Sequence, residues 1–170
     1  MAKIGVVLGS DSDWPVFEPG WKILADFGVE TEVLVASAHR TPDAVREFAL
    51  SAEEKGIRVL IAVAGAAAHL PGVVASFTHL PVIGVPVSGP ALKGVDALLS
   101  IAQMPAGIPV GTMAIDGGKN AALYAASILA ISNESLARRL LDYRNAQAEG
   151  VRKRNGALQE KIRQEQTSAR

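Results

Sequence analysis

Short apolar, β-branched runs alternate along the chain with segments whose apolar residues recur every three or four positions. That alternation predicts a parallel α/β sheet, with strands buried on both faces and helices covering them. Lys3–Leu8 reads as the first strand. A helix is expected over Asp13–Phe27, with Trp14, Phe17, Trp21, Leu24 and Ala25 on its inward face. Pro19 and Gly20 fall inside that helix and predict a kink. Glu30–Val35 forms a second strand. Thr41 then offers an N-cap, Pro42 suits the first helical position, and Asp43 complements the helix dipole. Val45, Phe48, Ala49 and Ala52 make that helix's apolar stripe, and Gly56 stops it. Arg58–Val63 is apolar nearly throughout, as a central strand should be. The remaining strands are expected at Pro81–Val85 and Val110–Ala114. The remaining helices are expected at Leu70–Phe77, Leu92–Ala102, Asn120–Ile131 and Ser135–Glu149. Residues 1–150 therefore read as a single α/β domain, and 151–170 as a polar, mostly basic C-terminal arm.

In open parallel sheets, ligands bind beyond the carboxyl ends of the strands, where strand order reverses. For five strands ordered 2-1-3-4-5, that point lies between the first and third. The loops after strands one, two and three would converge there, and they hold nearly all the polar chemistry fit for catalysis. The first, Gly9-Ser10-Asp11-Ser12-Asp13, joins a glycine and two hydroxyls to a helix start, as an anion or ribose cradle requires. Two aspartates would repel a phosphate, so Asp13 is assigned to a hydroxyl or polar ring atom. Capping by Ser10, Ser12 or Asp13 would use the same residues. The second loop, Ala36–Thr41, sets Arg40 beside His39. A guanidinium holds phosphate through paired hydrogen bonds, while an imidazole exchanges protons near neutral pH. The third loop, Ala64–His69, is almost free of side chains and suits close backbone approach to a flat ligand. His69 is read first as a capping or buried structural residue and second as a polar contact. His79 is read as structural or exposed.

Composition narrows the picture. Lys+Arg and Asp+Glu both number 17, so no global field draws the chain to nucleic acid or to an anionic membrane. There is no cysteine, which removes disulfides, zinc thiolates and thiol nucleophiles. No two histidines have helical metal-ligand spacing, and no cofactor or metal is expected. No Walker-A, dinucleotide-binding or nucleophile-elbow pattern is present. The run Val59–Leu70 is too short to span a bilayer and contains Gly65 and His69. The first residues enter a strand with no signal-peptide pattern, so a cytoplasmic location is expected. Apolar residues make up 49% and aromatics only 5%. A core of small side chains with that much apolar surface predicts a homo-oligomer.

These three loops closely resemble the class I N5-carboxyaminoimidazole ribonucleotide mutases. The resemblance rests on Gly9–Asp13, on Ser37-Ala38-His39-Arg40-Thr41-Pro42 and on Ala64-Gly65-Ala66-Ala67-Ala68-His69-Leu70-Pro71-Gly72. It continues through Pro81–Pro86 and Leu98–Pro105, covering roughly residues 3–145. It implies a flavodoxin-like three-layer sandwich assembled as an octamer. It also implies a cofactor-free isomerase of purine biosynthesis that moves a carboxylate from the exocyclic N5 of a small ribonucleotide to ring carbon C4. His39 would be the general acid and base. Ser10, Asp13 and Arg40 would hold the ribose phosphate, assisted by Ser12, Ser37 and backbone at Gly65. Gly9, Ala64, Ala66 and His69 are further candidates. Val63 and Ala66 stand where that family usually has Gly, Ala97 replaces a usual Ser, and the turn Asp116–Lys119 is short. A related class II carboxylase uses free carbon dioxide instead, and the short stand-alone chain favours class I. A phospho-receiver would need Asp where this chain has Val63-Ala64-Gly65, and the cobalamin-carrier motif is missing.

Overall fold

In the computed structural model, which describes residues 2–168, five parallel strands form one sheet ordered β2-β1-β3-β4-β5. They are β1 (Lys3–Leu8), β2 (Thr31–Val35), β3 (Ile57–Gly65), β4 (Val82–Val87) and β5 (Gly111–Thr112). Six α-helices connect and cover them: α1 (Trp14–Asp26), α2 (Pro42–Ser51), α3 (Leu70–Ala75), α4 (Val95–Ala102), α5 (Gly118–Ala130) and α6 (Glu134–Ser168). A single 3₁₀ turn, Asp11–Asp13, leads into α1. This is the expected flavodoxin-like sandwich, with β1 and β3 at its centre.

Alternate side chains of each strand face opposite layers. Ile4, Val6 and Leu8 of β1 join Val59, Ile61 and Val63 of β3 beneath α1 and α5. Val7, Leu60 and Ala62 face the other way, beneath α2, α3 and α4. Small residues let these layers approach closely. A Cβ on Gly118 would stand 2.2 Å from the Val16 carbonyl oxygen, and one on Gly20 would stand 2.6 Å from that of Gly118. Here α1 and α5 cross backbone to backbone, which accounts for Gly20 inside α1. The same contact corrects the expected inward face of α1. Phe17, Gly20, Ile23 and Leu24 are buried, whereas Trp21 and Ala25 are exposed, because α5 meets the helix along the Gly20 side.

Several boundaries differ from the sequence reading, each for a local reason. β3 and β4 each extend two residues further at their carboxyl ends, because both remain paired through Ala64↔Pro86 and Gly65↔Val87. α4 starts at Val95, not Leu92, since Lys93 and Gly94 adopt left-handed φ values of 54° and 88°. β5 shrinks to two residues at the sheet edge. Thr41 occupies the N-cap of α2 without capping it. Its hydroxyl turns back to Ser37 and accepts that residue's N–H at 2.9 Å. The expected helix Ser135–Glu149 does not stop at Gly150, but α6 continues as one helix of 35 residues. Its first half packs against the body. Phe27 and Tyr143 meet edge to face at 5.9 Å, and the Arg139 guanidinium donates to the Phe27 carbonyl. Arm residues 169 and 170 lie outside the described residues. Among the described residues, no helix is long and apolar enough to cross a membrane.

Candidate active site

The three loops predicted to converge do so. The carboxyl ends of β1, β2 and β3 open into a cavity of about 630 Å³. Every candidate residue lines it: Gly9, Ser10, Ser12 and Asp13 from the first loop, Ser37, His39 and Arg40 from the second, and Ala64, Gly65, Ala66 and His69 from the third. Two of the lining residues, Val87 at the end of β4 and Ser88 in the loop after it, come from a fourth segment not read as part of the site. The available signal was Ser88-Gly89-Pro90, a turn at the carboxyl end of a central strand. Ser88 is held there by its N–H, which donates to Asp116 Oδ1 at 2.9 Å.

Each loop is built by short-range polar contacts. Ser10 and Asp13 form a reciprocal capping box. Asp13 Oδ2 accepts the Ser10 N–H at 3.0 Å, and Ser10 Oγ accepts from Ser12 N–H and from Ser12 Oγ. Capping and cavity lining are therefore combined in one loop. Among the described residues, Asp13 is the one buried charged residue, 7% exposed. Burial raises its carboxyl pKa above the ordinary 3.8, and the nearby Asp11 charge adds to this, while the Ser10 N–H opposes it. In the second loop, Ser37 Oγ accepts the backbone N–H of both His39 and Arg40, at 3.3 and 3.2 Å. Ser37 thus folds the turn that presents the two side chains. Gly65 is small for a steric reason, since a Cβ there would stand 3.3 Å from the Val87 carbonyl. Ala66 and Ala68 both sit at positive φ, 53° and 45°, which bends the third loop back over the cavity.

The central feature is a contact between two imidazoles. His39 Nε2 lies 2.7 Å from His69 Nδ1, with the rings edge to face and their centroids 4.9 Å apart. One nitrogen donates and the other accepts, so the pair fixes complementary tautomers. This corrects the first reading of His69. It occupies the N-cap position of α3 with no side-chain cap bond, and it is exposed to the cavity rather than buried. The third histidine, His79, is exposed elsewhere, 3.4 Å from Glu53. Among the described residues, no group of three His, Cys, Asp or Glu side chains converges as metal ligands would.

Known proteins share this sequence and fold. The sequence profile described as AIR carboxylase matches residues 3–150. The chain belongs to the AIR carboxylase family. It is 55% identical over 144 residues to a protein of Thermotoga maritima named N5-carboxyaminoimidazole ribonucleotide mutase, covering 85% of this chain and 84% of that one. A protein of the same name from Pyrococcus abyssi is 56% identical, over 85% of this chain and 83% of its own. The Mycobacterium tuberculosis protein of that name is 50% identical over 92% and 90%. Among solved structures, Treponema denticola PurE superposes with a TM-score of 0.84 at 27% identity, covering 93% of this chain and 99% of that one. The family match ends at residue 150, where α6 leaves the body.

Proposed function

We propose that the protein is an N5-carboxyaminoimidazole ribonucleotide mutase acting in the cytoplasm without a cofactor, with His39 as its proton-transfer residue. The observation that carries this reading is the imidazole pair in a cavity that also holds Arg40 and the Ser10–Asp13 capping box. Arg40 supplies the one fixed cation lining the cavity and pairs with the ribose phosphate. Ser10 and Ser12 donate hydroxyl hydrogen bonds to the same phosphate. Asp13, an acceptor, takes a ribose hydroxyl. The nearly side-chain-free Ala64–Ala68 segment lies along the flat imidazole ring.

The chemistry follows from an N-carboxylate being a labile carbamate. His39, in its protonated form, gives a proton to N5, and the N5–carboxyl bond breaks to release carbon dioxide and the free amine. C4 of the electron-rich ring attacks the carbon dioxide held above it. His39, now neutral, removes the C4 proton and is returned to its starting form. Proton transfer by a positioned group supplies roughly 10²–10⁴-fold of rate. Holding the gas against the ring must supply much of the remainder. His69 positions the His39 ring through the 2.7 Å contact.

The decisive experiment supplies N5-carboxyaminoimidazole ribonucleotide to the protein in bicarbonate-free buffer. Rapid formation of the C4-carboxylate is expected, and inertness toward that substrate would place the chain with the carboxylases that use free carbon dioxide. His39→Asn should fold and bind nucleotide but lose turnover by at least about 10²-fold. Near-normal turnover would overturn the role of His39. The chain is further proposed to act as a homo-oligomer, an octamer by resemblance to the mutases. Its many exposed apolar side chains support self-association.

A further inference from the structure

Beyond Gly150, every residue of α6 through Thr167 is exposed, so seventeen residues of helix from Val151 stand clear of the body. That arm has two glycines at its root and interior, Gly150 and Gly156, which weaken an isolated helix. An unsupported helix of this length is marginal in water, and most helices owe their stability to a covered apolar face. The arm carries such a face. Val151, Leu158 and Ile162 align with Ala148 and Asn155 along one stripe, and the three large ones are 57, 55 and 37% exposed. Arg154 and Lys161 flank the stripe on one side and Arg152 on the other.

Charge identifies what covers it. Residues 151–170 hold six of the 17 basic residues and two of the 17 acidic ones, whereas residues 1–150 hold eleven and fifteen. A neutral chain thus consists of a body of net charge −4 and an arm of net charge +4. Two arms paired with each other would set Arg152, Arg154 and Lys161 of both copies along the seam, with Glu165 the one acidic residue continuing the stripe and already facing Lys161 of its own helix at 3.9 Å. The complementary surface is the outer face of α2 and the turn that follows it. There Asp43, Glu47, Leu50 and Glu54 line a groove of about 510 Å³ together with Arg46 and Ser51. Leu50 is 50% exposed, and Asp43, Glu47 and Glu54 make no ion pair among the described residues. Spacing agrees with charge. With Leu158 set on Leu50 and the helices antiparallel, Arg154 lies four positions away opposite Glu54, and Lys161 lies three positions away opposite Glu47. The arm cannot reach this groove in its own chain, because α6 packs on the α1/α5 side of the sheet and α2 covers the other side.

We propose that the C-terminal arm docks antiparallel on the α2 groove of a second copy of this chain. This rests on self-association alone and is independent of the reaction assigned to the cavity. The absence of native cysteine makes the test direct. Full-length Leu158→Cys and Leu50→Cys proteins, mixed and oxidised, should form the 158–50 disulfide as the main product. Leu158→Cys by itself should stay uncrosslinked. Leu158→Cys mixed with Ile131→Cys, an exposed position off both faces, sets the background. Reversing Arg154 and Lys161 to Glu should cut the yield about fivefold, as expected for two partly exposed ion pairs. Adding Glu47→Lys and Glu54→Lys to the partner should restore it. A 158–158 disulfide, or a 158–50 yield no better than background, would overturn the assignment. Light scattering on the unmodified protein separates the two levels. An oligomer without the 158–50 product removes only the arm's docking site, whereas a monomer removes self-association itself.

Discussion

Asp13 couples the site to stability. Its carboxyl is buried, its pKa is raised, and one oxygen accepts the Ser10 N–H. A raised carboxyl pKa means the folded chain binds the proton more tightly than the unfolded chain does. The neutral form is therefore favoured at low pH, and stability is lost as pH rises through the folded value. Asn in place of Asp13 keeps an acceptor for Ser10 without the charge. Asp13→Asn should melt at a higher temperature than the parent at pH 7, and the gap should close as pH falls below about 3.8. Lower stability of the variant at neutral pH would show that the Ser10 bond outweighs desolvation. The same variant should bind nucleotide more weakly, since the charged acceptor is lost. Ala66 offers a second test at this scale. An L-residue at φ 53° carries a left-handed strain of roughly 1–2 kcal/mol, while Gly costs about 0.5–1 kcal/mol more to order. Ala66→Gly should thus raise stability by up to about 1 kcal/mol by denaturant titration. A loss of stability would show that tertiary contacts have already relieved the strain. That Ala66 stands where the resembled mutases usually have Gly was legible in the sequence, but the positive φ was not.

At the level of elements, the sheet and its order follow from the run-and-period pattern, because apolar β-branched runs have few other places to go. The convergence of three loops follows in turn from the position where the winding reverses. What the pattern could not reveal were contacts set by distance across the fold. His39 and His69 are thirty residues apart in sequence, and only the adjacency of the β2 and β3 loops around β1 brings their nitrogens to 2.7 Å. The face of α1 was misjudged at Trp21 for a similar reason. An amphipathic count favours large residues, whereas here Gly20 makes the contact. This yields a prediction for the α1–α5 crossing. Gly118→Ala would push a methyl carbon to 2.2 Å from the Val16 carbonyl, with backbone on both sides and no flexible neighbour to yield. Overpacking of this kind typically costs about 1–3 kcal/mol, and a rigid backbone contact belongs at the upper end. The variant should show that loss in chemical denaturation. Gly156→Ala, with nothing within 4 Å of the new carbon, should instead stabilise the arm slightly. Equal effects of the two changes would refute close packing as the reason for Gly118.

At the scale of the whole molecule, the proposed reaction requires an exposed site to retain carbon dioxide. His39, Arg40 and His69 are all exposed in the single chain, and the cavity opens to solvent beside the loop from β4 to α4. A released gas molecule would diffuse away unless something closed the mouth, and water would compete for every donor in it. The adjoining helix is suited to bringing a neighbour there. Leu92, in the turn before α4, and Val95 and Leu99, on its solvent side, are all at least half exposed or close to it. One stripe of this kind beside a polar cavity marks an interface rather than a free surface. Leu99→Asp changes no buried contact within the chain, so the isolated fold should survive, as circular dichroism would report. Light scattering should show a smaller particle, and turnover at equal protein concentration should fall by about tenfold or more, as closure of the site is lost. The loss should lie in turnover more than in nucleotide affinity, because the phosphate contacts proposed for Arg40 and Ser10 come from one chain. Full turnover by a Leu99→Asp protein shown to be monomeric would mean that a single chain retains the gas unaided, and the case for catalysis only within an assembly would fail.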